Sequence, residues 1–377
     1  MRIGKIKVSH YINYVVIGLL TLILAVITMT GGRIDNSLLF LMEKMAISII
    51  LAVSLSMVVG FLGELSLGHA GFMCVGAYLG GKTAAVLEAY LGNGLATFAV
   101  ALVVGCAAAA VCGVIIGIPA LRLRGDYLAI VTLAFGEIVK SVFQNTSEDS
   151  FGGTLGLETP RFNKQYLFII AFVLVLVTLA VVQNFIRSKH GRAVTAIRDN
   201  EIAAKATGIN VTKYKLITFT ISAAFAGVAG VLYSFSNYTV QSAKFGYNYS
   251  IEILVMVVLG SMGSINGSIL AAALITWLNT WLPTKLTGDL AVLQNLLYAL
   301  ILIVLVIYNN APALKWVRDK YSFSTLVGKL QKHDPSHIHD DKAKWDVVPT
   351  KISMDEILSV DITQQKLSAD KEKGGKR

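Results

Sequence analysis

Residues 188–208, SKHGRAVTAIRDNEIAAKATG, form a charged and polar run between two long apolar runs, 166–186 and 214–236. At about 1.5 Å of rise per residue, about 20 apolar residues cross the hydrocarbon of a bilayer as a helix. Each flanking run is long enough to span, and the polar run between them must face water. The chain therefore reads as membrane wall with one large polar protrusion. Composition agrees: 55% of the 377 residues are hydrophobic and 15% charged, with a mean hydropathy of +0.65, a balance foreign to soluble domains.

Windows of this kind recur on both sides of the protrusion, at about 11–30, 38–61, 70–90, 95–118, 126–144, 166–186, 214–236, 250–263, 267–283 and 290–309. The eighth and ninth are short, so a re-entrant pair is the alternative to two crossings. Lipid offers no partner to open backbone groups, and no segment shows the strict alternation of a barrel strand. The expected fold is an all-α integral membrane protein of about ten transmembrane helices with broken or re-entrant segments. Its parts are a polytopic membrane domain over 1–310, the polar loop 187–213 within it, and a polar tail over 311–377.

Basic residues near membrane ends resist translocation, so they orient the chain. With the N-terminus inside, ten crossings put the C-terminus inside as well. Arg2, Lys5, Lys7, Arg122, Arg124, the basic residues of 187–215 and those after Tyr308 then lie inside, against Arg33, Arg161, Lys164, Lys244 and Lys285 outside. The net charge of +10 records topology and gives no reason to expect a nucleic acid partner. MRIGKIK followed by about twenty apolar residues is too long for a signal-peptide core and lacks a small-x-small cleavage site, so a retained first helix is expected. Cys74, Cys106 and Cys112 lie in apolar spans without metal-ligand spacing and read as core residues.

Residues 76–83, GAYLGGKT, satisfy the G-x-x-x-x-G-K-[ST] phosphate-loop pattern. The chemistry of that pattern needs a preceding strand, a following helix, surrounding water and a carboxylate for Mg²⁺. Here the pattern falls inside an apolar span, so it reads as a chance match. No HExxH, GxSxG or paired-Cys motif supplies a catalytic or metal site either. The chain is expected to be no enzyme, to bind no cofactor or metal, and to lie among membrane lipid.

Two glycine-rich clusters interrupt the spans. Residues 60–72, GFLGELSLGHAGF, join spans two and three; 260–268, GSMGSINGS, join spans eight and nine. Gly weakens a helix by about 1 kcal/mol relative to Ala, so both junctions should bend or unwind. Broken helices in two halves of a membrane chain point to a translocation pathway, here Gly63, Glu64, Ser66, Gly68, His69, Gly260, Gly263, Ser264 and Gly267. Close packing through small residues is the other reading. Glu43, Lys44, Lys82, Glu88, Glu137 and Lys140 fall in the outer halves of spans. They read as ion pairs and snorkelling groups, or as a polar outer vestibule receiving a small zwitterion. Glu137 and Lys140, three apart, share a helix face.

Within the protrusion, Asp199 or Asn200 can cap a short helix carrying Glu201, with Gly208 at its C-terminal end. Glu201 and Lys205 are spaced i, i+4, and Ile202, Ala203 and Ala206 make a small apolar face that could key into a soluble partner.

Five motifs in order then complete a resemblance: GELSLGHAGFMCVGAY at 63–78, RLRGDYLAIVTLAFGEI at 122–138, GGTLGL at 152–157, GRAVTAIRDNEIAAKATGIN at 191–210 and VVLGSMGSINGSILAAAL at 257–274. Over residues 38–310 the chain resembles the LivM-type permease family of branched-chain amino acid ABC importers. The resemblance implies a second permease subunit, two cytoplasmic ABC ATPases that hold ATP and Mg, and an extracytoplasmic substrate-binding protein. It implies the bacterial cytoplasmic membrane as the site of action. It also implies that Gly191, Arg192, Arg198, Asp199, Glu201, Ala203, Ala204 and Gly208 form the ATPase-coupling segment. Leucine, isoleucine and valine are the substrate class so implied, with urea, amides and other apolar amino acids carried by relatives. A carrier driven by an ion gradient is the alternative of another class, and would use Glu43, Glu64 or Glu137. The tail lies beyond the resemblance; it holds SMDE at 353–356 and His333, His337 and His339, which lack a scaffold for metal. Loss of 325–377 is expected to leave uptake largely intact.

Overall fold

The computed structural model describes residues 35–285 apart from Asn93, Arg124, Arg161 and Asn163, together with Gly18, Thr21, Ala299, Leu300 and Ile303. Apart from those five residues, the first and tenth expected spans lie outside the described residues, as does the 311–377 tail with its histidines and SMDE. So do the two chain ends.

Helix α1 (Asn36–Ser56) starts at Asp35, whose side chain accepts from the Ser37 amide, and continues as a π-helical turn, Met57–Leu62. It is followed by α2 (His69–Leu91), α3 (Leu95–Ala120), α4 (Asp126–Gln144) and the short α5 (Glu148–Phe151). Strand β1 (Leu157–Glu158) precedes α6 (Lys164–Arg187), and the protrusion folds as α7 (Lys189–Asp199) and α8 (Glu201–Ala206). Then come α9 (Val211–Asn237), β2 (Thr239–Val240), a 3₁₀ turn Ser242–Phe245, α10 (Tyr247–Leu259) and α11 (Ile265–Lys285).

Among the described residues, six helices are long and apolar enough to cross a membrane: Asn36–Leu62, His69–Tyr90, Leu95–Ala120, Tyr166–Arg187, Val211–Asn237 and Ile265–Pro283. The expected fifth span is found as α4, which carries Asp126, Glu137 and Lys140 and falls short of that standard. The expected eighth is α10, 13 residues long. It starts three residues before the expected 250–263 window, after the chain has left α9 at Tyr238 and turned back through β2 and the 3₁₀ turn, and it stops at Leu259, where Gly260 and the left-handed Ser261 at φ +71° end the helix. Helix α10 then begins part of the way down the bundle, where its Tyr247 amide donates to Glu137 of α4 at 2.7 Å.

Helix α1 is central: Ala46 through Ser56 are all buried, with α6, α9 and α11 around it. Helices α2, α3 and α9 pack through small residues, as helices in lipid do when backbones must approach closely. The glycines of the phosphate-loop look-alike belong to this packing. Gly76 lies against the Gly227 backbone of α9 and Gly81 against Thr159 and Ser234, all within an unbroken α2. Opposite the protrusion, β1 and β2 pair antiparallel, Leu157 with Val240 and Glu158 with Thr239, and the buried Tyr78 hydroxyl donates to Val240 O at 3.0 Å. This two-stranded clasp was absent from the all-helical expectation, since two-residue strands carry no periodicity. The outer face of α3 leaves Leu95, Val103, Val111 and Ile115 exposed, the surface a lipid or helical neighbour covers.

Candidate functional site

The protrusion is built from local caps. Ser188 Oγ accepts from the His190 and Gly191 amides to start α7. Asn200 Oδ1 accepts from Ile202 and Ala203, both at 3.0 Å, to start α8, so the cap falls on Asn200 and not on Asp199. Gly208 closes α8 at φ +86°, where a Cβ would be strained. Gly191, Val194, Ile197 and Ala204 face inward, while Arg192, Asp199, Ile202, Ala203 and Ala206 face out. Ile202 is 76% exposed, an apolar tip on an otherwise polar segment.

Behind this tip the two glycine clusters meet. The π-helical turn ends at Gly63, φ +79°, and a Cβ on Gly60 would lie 2.6 Å from Gly263 N. Gly263 itself sits at φ +86° between α10 and α11, and Gly260 and Gly267 approach backbone to backbone. Arg198 of α7 inserts at this crossing: its Nη1 donates to Gly60 O at 3.0 Å, and its aliphatic stem fills the space beside Gly63. The wide π-helical ring displaces carbonyls from the usual ladder, which is why a guanidinium can bond one there.

A second link runs through Lys215, the fifth residue of α9 and 3% exposed. Its ammonium donates to Glu64 in the loop after the π-turn and to Glu201 of α8 at 3.2 Å. Glu201 also pairs with Lys205 at 2.7 Å. Lys205 first, and Lys215 with it, hold the Glu201 carboxyl below the usual carboxylate range against the opposing effect of partial burial. The exposed tip is thus fastened to the first broken turn and its loop by two independent cationic side chains.

The remaining sequence-derived residues are spread more widely. Ser66 and Gly68 are buried, with Gly68 against Thr132 of α4, and His69 Nε2 shares a 2.8 Å hydrogen bond with Ser54 Oγ. Gly263 and Ser264 line a cavity of about 260 Å³ with Gln183 and Arg187 of α6. Toward the opposite end, Glu43 is buried and accepts from Ser236 at 2.6 Å, Glu137 pairs with Lys140 at 3.0 Å, and Lys82 donates to Asp149 O at 3.2 Å. Glu88 is exposed. Lys44 opens on a separate cavity of about 310 Å³ that also holds Glu252. Among the described residues, no group of three His, Cys, Asp or Glu is placed to hold a metal ion.

Two charged residues were not singled out from sequence. Lys215 follows Lys213 at the start of an apolar helix and reads as one more basic loop residue; Glu252, a lone carboxylate inside IEILVMVVL, is the clearer signal.

Comparison with known proteins fits this layout. Residues 37–307 match the family described as branched-chain amino acid transport system / permease component. High-affinity branched-chain amino acid transport system permease proteins LivM of Salmonella typhimurium and Escherichia coli K12 are each 39% identical over 257 residues, 60% of this chain and 59% of theirs. The chain thus spans less than two thirds of these curated relatives. A ribose import permease protein of Escherichia coli K12 is 27% identical over 316 residues, 78% of this chain and 92% of its own length. No solved structure matches. With its apolar spanning helices, paired broken turns and family match over most of its length, the chain is a multi-pass membrane protein and belongs to the permease components of branched-chain amino acid transport systems.

Proposed function

We propose that this chain is a substrate-translocating subunit of a branched-chain amino acid importer driven by ATP hydrolysis on partner subunits. The observation that carries the reading is the double fastening of the exposed α7–α8 tip to the broken π-helical turn and the loop after it, through Arg198 to Gly60 and through Lys215 to Glu64. A partner that grips Ile202 and moves α8 pulls on the first turn at two points, Gly60 and Glu64, each reached by a charge-assisted hydrogen bond, and through Gly60 on the Gly263 turn packed against it. ATP and Mg are held by two cytoplasmic ATPases, a second permease completes the channel, and an extracytoplasmic protein delivers substrate. The tip, the N-terminus and the C-terminus face the cytoplasm of a bacterial cell. Leucine, isoleucine and valine are the substrates, supported by the LivM relatives' greater identity over that of the ribose permease protein.

The ion-gradient alternative needs a carboxylate that exchanges a cation along the path. Its candidates are all engaged: Glu43 with Ser236, Glu64 with Lys215, Glu137 with Lys140 and the Tyr247 amide. The test is uptake into proteoliposomes carrying the assembled complex, its binding protein and ATP, with no ion gradient. Leucine accumulation that stops without ATP is expected. Accumulation driven by an ion gradient alone, or of ribose in place of leucine, overturns the reading.

A further inference from the structure

The cavity of about 310 Å³ lies between α1, α9, α10 and α11, and none of the residues of the fastened turn lines it. Lys44 of α1, Glu252 of α10 and Lys244 of the 3₁₀ turn all line it. Ionisable groups at this depth are expensive unless they face water, a partner or a ligand. The Asn279 amide donates to one Glu252 oxygen, which fixes the carboxylate on the cavity wall. Thr276 of α11 is 6% exposed, lines the same cavity, and its Oγ1 has no hydrogen-bond partner among the described residues. A buried hydroxyl without a partner destabilises the empty protein, and so marks a place where a ligand can supply the missing bond. Ile47 adds an apolar wall. A second cavity of about 330 Å³ shares Lys244, Tyr249 and Glu252 with the first and reaches the exposed Asn248, a route of entry.

We propose that this chamber is a substrate subsite for a free zwitterionic amino acid. Lys44 receives the α-carboxylate, Glu252 receives the α-ammonium, Thr276 Oγ1 bonds whichever charged group lies beside it, and Ile47 flanks the apolar side chain. Opposite charges on facing helices discriminate by chemistry. A monocarboxylate answers Lys44 alone, and an uncharged sugar brings no opposite charge to either group. The inference rests on the proposed amino acid cargo, and the probes separate the two.

The assembled transporter, with Thr276→Cys introduced, is labelled by a maleimide, and modification at position 276 is read by peptide mass spectrometry with L-leucine, 4-methylpentanoate or ribose present. L-leucine should slow labelling at least fivefold, the other two less than twofold, and Glu252→Gln should remove the protection. Thr276→Val gives a reading independent of labelling. The empty variant complex should melt higher than wild type, while the upward melting shift that L-leucine gives wild type is lost. A complex that transports leucine, yet shows neither protection nor a leucine shift that depends on Thr276, overturns the subsite and leaves the proposed function standing. Protection by ribose, in a complex that carries ribose and not leucine, overturns both.

Discussion

The Lys215 ammonium is hydrogen-bonded to the Glu64 carboxylate, joining α9 to the loop that follows the π-helical turn of α1. The Lys215 side chain is 4% exposed and that of Glu64 12%, with Glu201 completing the cluster. Lys215→Met leaves Glu64 without its cation and near Glu201, which keeps only Lys205, and removing one partner of a buried pair destabilises by about 3–5 kcal/mol. Thermal unfolding of the purified complex should show that loss, and Glu64→Gln added to Lys215→Met should recover at least half of it. Equal melting of the Lys215→Met variant and wild type would show that the cluster contributes nothing.

The Glu201 carboxyl is held below the ordinary value of 4.5 by Lys205 and Lys215. A depressed folded-state value adds stability that is present above the unfolded value and lost as pH falls through the folded one. Wild type should therefore melt above Glu201→Gln by a constant margin from about pH 5.5 to pH 8, a margin that shrinks below about pH 4.5. A margin that grows as the medium is acidified has the wrong sign for this ion pair.

Gly63 sits at φ +79°, and a Cβ there would lie 2.7 Å from Arg198 Cγ. Gly63→Ala meets both a strained backbone, worth about 1–2 kcal/mol, and a displaced Arg198. Uptake should fall about tenfold while ATP hydrolysis by the complex continues, because the tip is still gripped but has lost one of its two fastenings. Arg198→Ala in the same chain removes the clash and leaves the backbone strain, so melting should recover only in part and uptake not at all. Uptake restored by the second substitution would show that Arg198 transmits nothing.

The reach of sequence reading followed the range of the interactions concerned. Spans were legible because a run of about twenty apolar residues has one stable form in lipid. The 126–144 window became α4 with the same limits. The caps at Asn200 and Gly208 and the Glu201–Lys205 pair were legible because each closes within one helical turn. The weak helix at both glycine clusters was visible too. Their contact was not, since Gly60 and Gly263 are brought together only by the packing of the intervening helices. Lys215 was hidden for the same reason. A lysine just inside an apolar helix looks like an interfacial anchor until two carboxylates 151 and 14 residues away converge on it.

Lys82 offers the sharpest separation between pattern and mechanism. It occupies the lysine position of the phosphate-loop look-alike, yet it lies in the middle of α2 and its ammonium donates to Asp149 O at 3.2 Å. A phosphate loop works by wrapping backbone amides around the anion. In an unbroken helix those amides are consumed by the i→i−4 ladder, so nothing is left to cradle a nucleotide. Lys82→Met removes one hydrogen bond at the bundle edge and should change ATP turnover by the assembled complex less than twofold, with leucine uptake to match. A loss of turnover of a hundredfold or more, with the complex still assembled, would place nucleotide chemistry in this chain and undo the division of labour between membrane wall and motor.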